Sequence, residues 1–159
     1  MARAATMENV TVHRNRMAIA ILSLVGLFVA FYLYAHAAGW MGALQCGLSD
    51  CDTVQSSSHA RLGPVPVPLI GLVGYALLLG LALVGLQPSC VGSSWIARLL
   101  LLGAAAGWGY SAYLTYLEAW VIRAWCQYCV ASAIIMTLIL AASLPEVRRS
   151  FGEARRTRP

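Results

Sequence analysis

The sequence contains few charged residues: only 11% of its 159 residues are charged, and lysine is absent. An ordinary soluble domain has about a quarter of its residues charged. Hydrophobic residues make up 60% of the chain, which is more than a soluble chain of this length could bury in one core. The shortage of charge therefore excludes a soluble globular enzyme, a disordered tail and a coiled coil. It leaves a small, single-domain, polytopic membrane protein.

Charged residues are missing altogether from four long runs of the sequence. Crossing the hydrocarbon layer of a bilayer takes roughly 20 helical residues, and the runs cover residues 17–35, 65–86, 99–117 and 126–144. The sequence thus predicts an all-α, integral membrane four-helix bundle with a long outer loop between helices 1 and 2. This membrane domain is expected over residues 17–145, between an N-terminal tail (1–16) and a basic C-terminal tail (146–159).

The ends of the first and last runs allow two further expectations. The first run could be a signal peptide, but it is longer than the usual apolar core of one and no clear small-residue cleavage site follows it. A retained helix is therefore expected. Pro145 and Arg148 are expected to end the last helix, because proline lacks the N–H group that a helix interior uses.

Arginine is distributed unevenly between the predicted loops. Nine of the eleven arginines, Arg16 among them, fall on the side that holds both termini, and only Arg61 and Arg123 fall on the other side. In membrane proteins the cytoplasmic loops carry the excess of basic residues. The bias predicts a multi-pass protein of the bacterial inner membrane with both termini in the cytoplasm. The loops at about 36–63 and 118–125 would then face the periplasm or the cell exterior.

Four of the five cysteines form two close pairs on the predicted outer side. Cys46 and Cys51 lie in the long loop, and Cys126 and Cys129 form a Cys-x-x-Cys motif at the start of the fourth helix. Disulfides persist in this oxidising compartment. The free N–H groups and the dipole at a helix N-terminus favour thiolate, which is the form that attacks a disulfide. The motif therefore predicts a pair that cycles between dithiol and disulfide.

A mobile loop pair beside a fixed membrane pair is what a disulfide relay to a lipid-soluble electron acceptor requires. The loop sequence CGLSDC contains the turn formers Gly47, Ser49 and Asp50, so ring closure there is easy. The fifth cysteine, Cys90, lies on the inner side and is expected to be a free thiol without a role.

Three other interpretations of the cysteines stay open. They could be structural staples in a non-catalytic membrane scaffold, they could bind zinc, or they could pass a soft metal ion across the membrane. The four-residue spacing of the loop pair is at the edge of the range for zinc sites. A metal carrier would need polar or thiol groups along the spans, and the spans lack charges. A redox role without a metal is therefore favoured.

Polar residues other than the cysteines are weaker candidates for binding the electron acceptor. Tyr110, Tyr113 and Tyr116 recur at every third position of the third helix. They could offer phenol groups to a quinone, although anchoring at the membrane boundary is the commoner role of tyrosine. Ser56 and Ser57 could cap a short helix in the outer loop, or they could contact the quinone. Glu118 is expected at the surface of the short loop before the Cys-x-x-Cys motif.

The order of these motifs resembles bacterial members of the vitamin K epoxide reductase family. A loop cysteine pair is followed by a Ser-Ser element, a proline-rich start to a glycine-containing helix, and a late Cys-x-x-Cys. The residues concerned are Cys46, Cys51, Ser56–Ser58, Pro66–Pro68 with Gly71, Gly74 and Tyr75, and Cys126–Cys129. The resemblance covers about residues 15–145, the whole membrane body.

The resemblance implies both an architecture and a set of roles. A four-helix bundle would surround a quinone (ubiquinone or menaquinone), with the outer loop covering the pocket. Cys46 would exchange with a soluble thioredoxin-fold dithiol protein, Cys51 would pass electrons to Cys126, and Cys129 would reduce the quinone. A chain of 159 residues leaves no room for a fused thioredoxin domain, so a separate partner is expected. The animal enzymes carry a Tyr after the Cys-x-x-Cys and an Asn at the second span, where this chain reads VASA and VPVP.

Overall fold

A computed structural model describes residues 2–47, 50–90 and 93–156 of the chain, and gives side-chain surroundings for 10–47, 50–90 and 93–147. Ser49 of the predicted turn and Arg158 of the basic tail lie outside the described residues. The other arginine side chains beyond residue 147, which the predicted orientation uses, lie outside them as well.

Helices dominate the described part of the chain, which confirms the all-α fold class. They are α1 (Ala2–Ala37), α2 (Cys51–Ser56), α3 (Val67–Leu86), α4 (Ser94–Tyr116) and α5 (Gln127–Arg156). A short 3-10 turn (Ser58–Ala60) and an antiparallel hairpin of two-residue strands, Arg61–Leu62 and Val65–Pro66, connect α2 to α3. After α4 the chain continues as a π-helix, Leu117–Ile122.

The last helix does not end at Pro145, as the sequence predicted, but continues to Arg156. Proline removes one backbone hydrogen bond from a helix interior, yet the turn after Pro145 is held by tertiary contacts. Glu146 and Val147 are both buried, and the Glu146 carboxylate pairs with Arg16 on α1. Packing of the following turn therefore outweighs the local cost of the proline.

Within the described residues, three helices are long and apolar enough to cross a membrane: Val10–Ala37 of α1, all of α3, and Gln127–Val147 of α5. The helix α4 has 23 residues but does not belong to this group, because glycine, tyrosine and an arginine dilute its apolar character. The division of the chain into four spans between two tails stays a prediction.

The four long helices close a ring. The helix α1 packs against α3 and α5, and α4 packs against the same two helices from the other side. The shared core includes Ile19, Leu78, Ile96, Leu100 and Ile139, all of them almost fully buried. This arrangement leaves the α2 loop to cover one end of the ring.

A glycine sets the distance between α1 and α3. A Cβ atom added at Gly26 would lie 2.3 Å from the ring of Tyr75, so only glycine lets the buried tyrosine approach the backbone of α1. The Tyr75 hydroxyl donates to the Ser132 carbonyl oxygen on α5 at 3.0 Å and lies 2.8 Å from the Ser132 hydroxyl. One side chain thereby connects three helices.

An ion pair lies buried at the opposite end of the ring from α2. Arg16 is 1% exposed and Glu146 is 5% exposed, and the guanidinium donates to the Glu146 carboxylate. The same guanidinium donates to the Gly85 carbonyl, to the Cys90 carbonyl at 3.0 Å and to the Ser93 carbonyl at 3.5 Å. Arg16, counted from the sequence only among the arginines on the side of the termini, is therefore a buried connection between α1, α5 and the α3–α4 loop.

Candidate functional site

The loop cysteines form a disulfide between Cys46 and Cys51, with their Cα atoms 6.2 Å apart. Cys51 is the first residue of α2, which is capped by the Asp50 carboxylate accepting from the Thr53 amide at 3.3 Å. Cys51 is 1% exposed, whereas Cys46 is only half-buried. The cap and the first turn of α2 thus turn one sulfur of the disulfide inward.

The second pair, Cys126 and Cys129, consists of free thiols. The π-helix is followed by Arg123 in the left-handed conformation (φ 56°), and α5 begins at Gln127 after three residues without regular secondary structure. Cys126 lies immediately before α5 and is fully buried, and Cys129 lies in its first turn and is half-buried. The motif therefore occupies a helix N-terminus, as the sequence predicted.

The two pairs meet in one small apolar cluster. Cys51 and Cys126 belong to it together with Leu33, Leu44 and Val54, and Cys46 and Cys129 pack at its edge. Hydrogen bonds hold the loop against the motif: the Asp50 amide donates to the Trp125 carbonyl at 3.1 Å, and the Tyr128 hydroxyl donates to the Gln45 carbonyl at 2.8 Å. Cys51 of the loop disulfide is thus packed in the same cluster as Cys126, the first thiol of the Cys-x-x-Cys motif.

A cavity of about 420 Å³ lies inside the ring of helices. Its wall is mostly apolar, with contributions from all four long helices and from Gln55 of α2, and Cys129 forms part of it. The Gln55 amide nitrogen donates to the Cys129 sulfur at 3.7 Å. The polar groups in the wall are few: Gln55, Tyr75, Tyr110, Ser111, Thr115 and Ser132.

The structure separates the weaker candidates from one another. Tyr110 lines the cavity, but Tyr113 and Tyr116 are more than half exposed and do not. Ser57 lines a smaller cleft nearby, and its hydroxyl donates to the Val54 carbonyl at 2.8 Å. Ser56 is exposed and donates to the Thr53 carbonyl at 3.3 Å. Ser56, Ser57, Tyr113 and Tyr116 do not line the large cavity. Their contact with a quinone therefore stays a prediction.

Sequence reasoning missed two polar residues beside the thiols. Gln55 follows Cys51 by four positions and so shares its helix face, a signal that could have been used. Glu118 was expected at the surface but is only 3% exposed. Its carboxylate accepts from the Cys126 amide at 3.2 Å and is also hydrogen-bonded to the Cys129 thiol. Its place in the apolar stretch YLEAWVI was the available signal.

Burial and hydrogen bonding shift the acidity of two groups at this site. Burial raises the pKa of the Glu118 carboxyl above its usual range, although the hydrogen bonds from the Cys126 amide and the Cys129 thiol oppose the shift. A hydrogen bond from the Cys129 side chain lowers the pKa of the Cys126 thiol to about 7, against the opposing effect of burial. The hydrogen bond from Cys129 thus favours the thiolate form of Cys126, the form that reacts with disulfides.

Residues 17–144 match the family model described as the vitamin K epoxide reductase family. The matched segment contains all four long helices apart from the ends of α1 and α5, the disulfide and the Cys-x-x-Cys motif. It covers most of the chain, and it agrees with the motif order, the helical ring and the paired cysteines described above. The chain belongs to the vitamin K epoxide reductase family.

Proposed function

We propose that the protein is a membrane oxidoreductase that forms disulfides in a thioredoxin-fold dithiol protein and transfers the electrons to a quinone. Family membership supports an oxidoreductase. The observation that carries the finer proposal is the position of Cys129: its sulfur lines an apolar cavity, while its partner thiol Cys126 is packed with Cys51 of the loop disulfide.

Differences in burial support the order of the relay. Cys46 is half-buried and is therefore the loop sulfur that an external thiolate can attack. Attack on Cys46 would release the sulfur of Cys51, which faces Cys126 in the shared cluster. Transfer of the disulfide from the inner pair to Cys46 and Cys51 would leave Cys126 and Cys129 as the dithiol, the state that the structure contains.

The cavity fits a quinone head group. Its volume of about 420 Å³ lies within the range of small-molecule sites, which are typically apolar with a few well-placed polar groups. Gln55, Tyr110 and Ser111 are the wall residues that would hold the quinone oxygens, and Cys129 would face the ring. A bound ubiquinone or menaquinone would supply the acceptor for two electrons and two protons. No group of three or more metal-ligating side chains occurs among the described residues.

The proposed orientation follows from the arginine bias. Both termini would lie in the cytoplasm, and the disulfide, the Cys-x-x-Cys motif and the α2 loop would lie on the periplasmic or extracellular side of the inner membrane. In this orientation the loop disulfide would face the compartment of the proposed thioredoxin-fold partner, and the cavity would be accessible to lipid-dissolved quinone.

An assay with purified components tests the function. The protein in native lipid is mixed with a reduced thioredoxin-fold dithiol protein, and quinone absorbance is followed together with the thiol content of the partner. We expect one quinone reduced for each partner disulfide formed. The proposal is contradicted by the absence of quinone reduction. It is also contradicted by labelling with a membrane-impermeant thiol reagent that puts the two cysteine pairs on opposite faces.

Filling the cavity should weaken the use of quinone without affecting thiol exchange. Gly74 lines the cavity, and a Cβ atom there would meet nothing within 4 Å. In Gly74→Phe we expect the KM for quinone to rise at least about tenfold, since the ring would occupy the space that the head group needs. Exchange between the loop disulfide and the partner should keep its rate.

Gly80→Phe is the matched control for this variant. Gly80 lies on the same helix, is exposed, has open space around its Cα, and does not line the cavity. Its KM should therefore stay near the wild-type value. Equal effects of the two substitutions on KM would mean that the cavity is not the quinone site.

A further inference from the structure

A second, smaller space is also lined by Cys129. This cleft, which has a volume of about 30 Å³, lies between the outer loop and the π-helix. Its polar lining residues are Gln55, Ser57, His59, Glu118 and Cys129. A space of this size holds one or two water molecules. Cys129 thus lines both spaces, the apolar cavity inside the ring and this small cleft.

Glu118 is the buried ionisable group of this cleft. It is 3% exposed, and its carboxyl group touches the Cys129 thiol and the backbone amide of Cys126. His59 lies on the outer loop, is exposed, and lines the same cleft. The titratable groups that face Glu118 among the described residues are therefore Cys126 and Cys129 from the α5 side and His59 from the loop.

We propose that Glu118 is a catalytic proton carrier, which exchanges the Cys129 thiol proton with the outer side through this cleft. The inference rests on the proposed function. When the Cys126 and Cys129 thiols become a disulfide, the two sulfurs form one S–S bond and lose two electrons and two protons. The quinone takes up two electrons and two protons to become the quinol. The proton that Glu118 carries out through the cleft is replaced by one that the quinone takes up from solvent, so the overall reaction releases no proton.

The position of Glu118 suits this role better than a purely structural one. A capping interaction with the Cys126 amide needs only an acceptor oxygen, which glutamine also supplies. Proton transfer needs a group that can change its protonation state next to the sulfur. Because burial raises the pKa of Glu118, its acid and base forms are both accessible closer to neutral pH than for an exposed glutamate.

The pH dependence of quinone reduction tests the proposal. The carboxylate form accepts the proton, so the wild-type rate should rise with pH through the raised pKa of Glu118. This rise of the rate at low pH is called the low-pH limb. In Glu118→Gln the low-pH limb should be absent, and the rate of quinone reduction should fall about a hundredfold. Glu118→Asp should keep the limb at a reduced rate, because it keeps a carboxyl group in the cleft.

Two further variants separate proton transfer from other effects. His59→Gln removes the other titratable group of the cleft that does not belong to the thiol pair, and the low-pH limb should remain. In Glu118→Ala, added formate should restore part of the rate, because a small carboxylate can enter the vacated space. Rates are compared for protein that retains the Cys46–Cys51 disulfide and its unfolding midpoint, with Asp52→Asn as the control for loss of a carboxyl group elsewhere, because Asp52 is about half exposed.

The outcomes distinguish this inference from the proposed function. A wild-type protein that reduces no quinone at any pH overturns both. If the wild-type protein reduces quinone and Glu118→Gln keeps an unchanged low-pH limb, only the role of Glu118 is overturned. Slow Glu118→Gln and Glu118→Ala variants that keep the limb and gain nothing from formate would show a structural residue instead.

Discussion

Replacing Cys129 with alanine is expected to lower the rate of quinone reduction by at least about a thousandfold, since removing a reacting nucleophile removes the covalent chemistry itself. Cys129 is the thiol that lines the cavity. In molecules that still carry the Cys46–Cys51 disulfide, this bond should exchange with the dithiol partner as in wild type, because neither cysteine is changed. The two half-reactions are followed separately by quinone absorbance and by alkylation of the partner.

The same variant should trap an intermediate. Cys126, which has lost the thiol that would resolve it, packs with Cys51 and should accumulate as a Cys51–Cys126 disulfide that peptide mass spectrometry identifies. Cys126→Ala should also stop quinone reduction but should not give this link. Cys90→Ala is the control, since Cys90 is a free cysteine outside the cluster, and it should behave as wild type. Wild-type quinone reduction by Cys129→Ala would refute the relay.

Replacing Glu146 with alanine is expected to lower the free energy of unfolding by about 3–5 kcal/mol, because it leaves the Arg16 guanidinium buried without its countercharge. Arg16 is almost fully buried and also donates to carbonyls of the α3–α4 connection. Unfolding titrations in one fixed lipid or detergent composition measure the difference.

Two comparison variants isolate the charge effect. Asp52 is about half exposed and lies 3.6 Å from His36, so Asp52→Ala should change the free energy of unfolding by less than about 1 kcal/mol. The double variant Arg16→Met/Glu146→Met should recover much of the loss, since apolar replacement of a buried pair is often close to neutral. A single-variant loss no larger than that of Asp52→Ala would contradict the interpretation of Arg16–Glu146 as a buried pair.

Local features of the sequence predicted the helices and the redox centre. Long runs without charge mark the helices of the ring, and the position of Cys126 and Cys129 at a helix start follows from the charged loop before them. The pairing of Cys46 with Cys51 agrees with their short separation and the turn-forming residues between them. Each of these inferences depends on residues within a few positions of one another.

The surroundings of the isolated charges could not be predicted in the same way. Arg16 meets a partner 130 positions away, and Glu118 is buried by an outer loop that precedes it by more than fifty residues. Both lie at the edge of an apolar run, where a charge is normally solvated. Only the tertiary arrangement decides whether another element covers such a charge.

The tyrosines of α4 show a geometric limit of a three-residue repeat. Each step of three residues turns an α-helix by about 300°, so successive members drift by about 60° around the axis. Tyr110 faces the cavity, and by Tyr116 the drift has carried the side chain to the exposed face. The repeat alone could not tell which member faces inward.

The unequal exposure of the four cysteines has a consequence for the specificity of the proposed electron transfer. Cys126 is fully buried and Cys51 is 1% exposed, so small thiols and oxidants dissolved in water have no direct access to the middle of the proposed relay. Electrons would enter at Cys46 and leave at Cys129. Electron exchange with the surroundings would therefore be confined to two sites, Cys46 for the dithiol partner and Cys129 for the quinone.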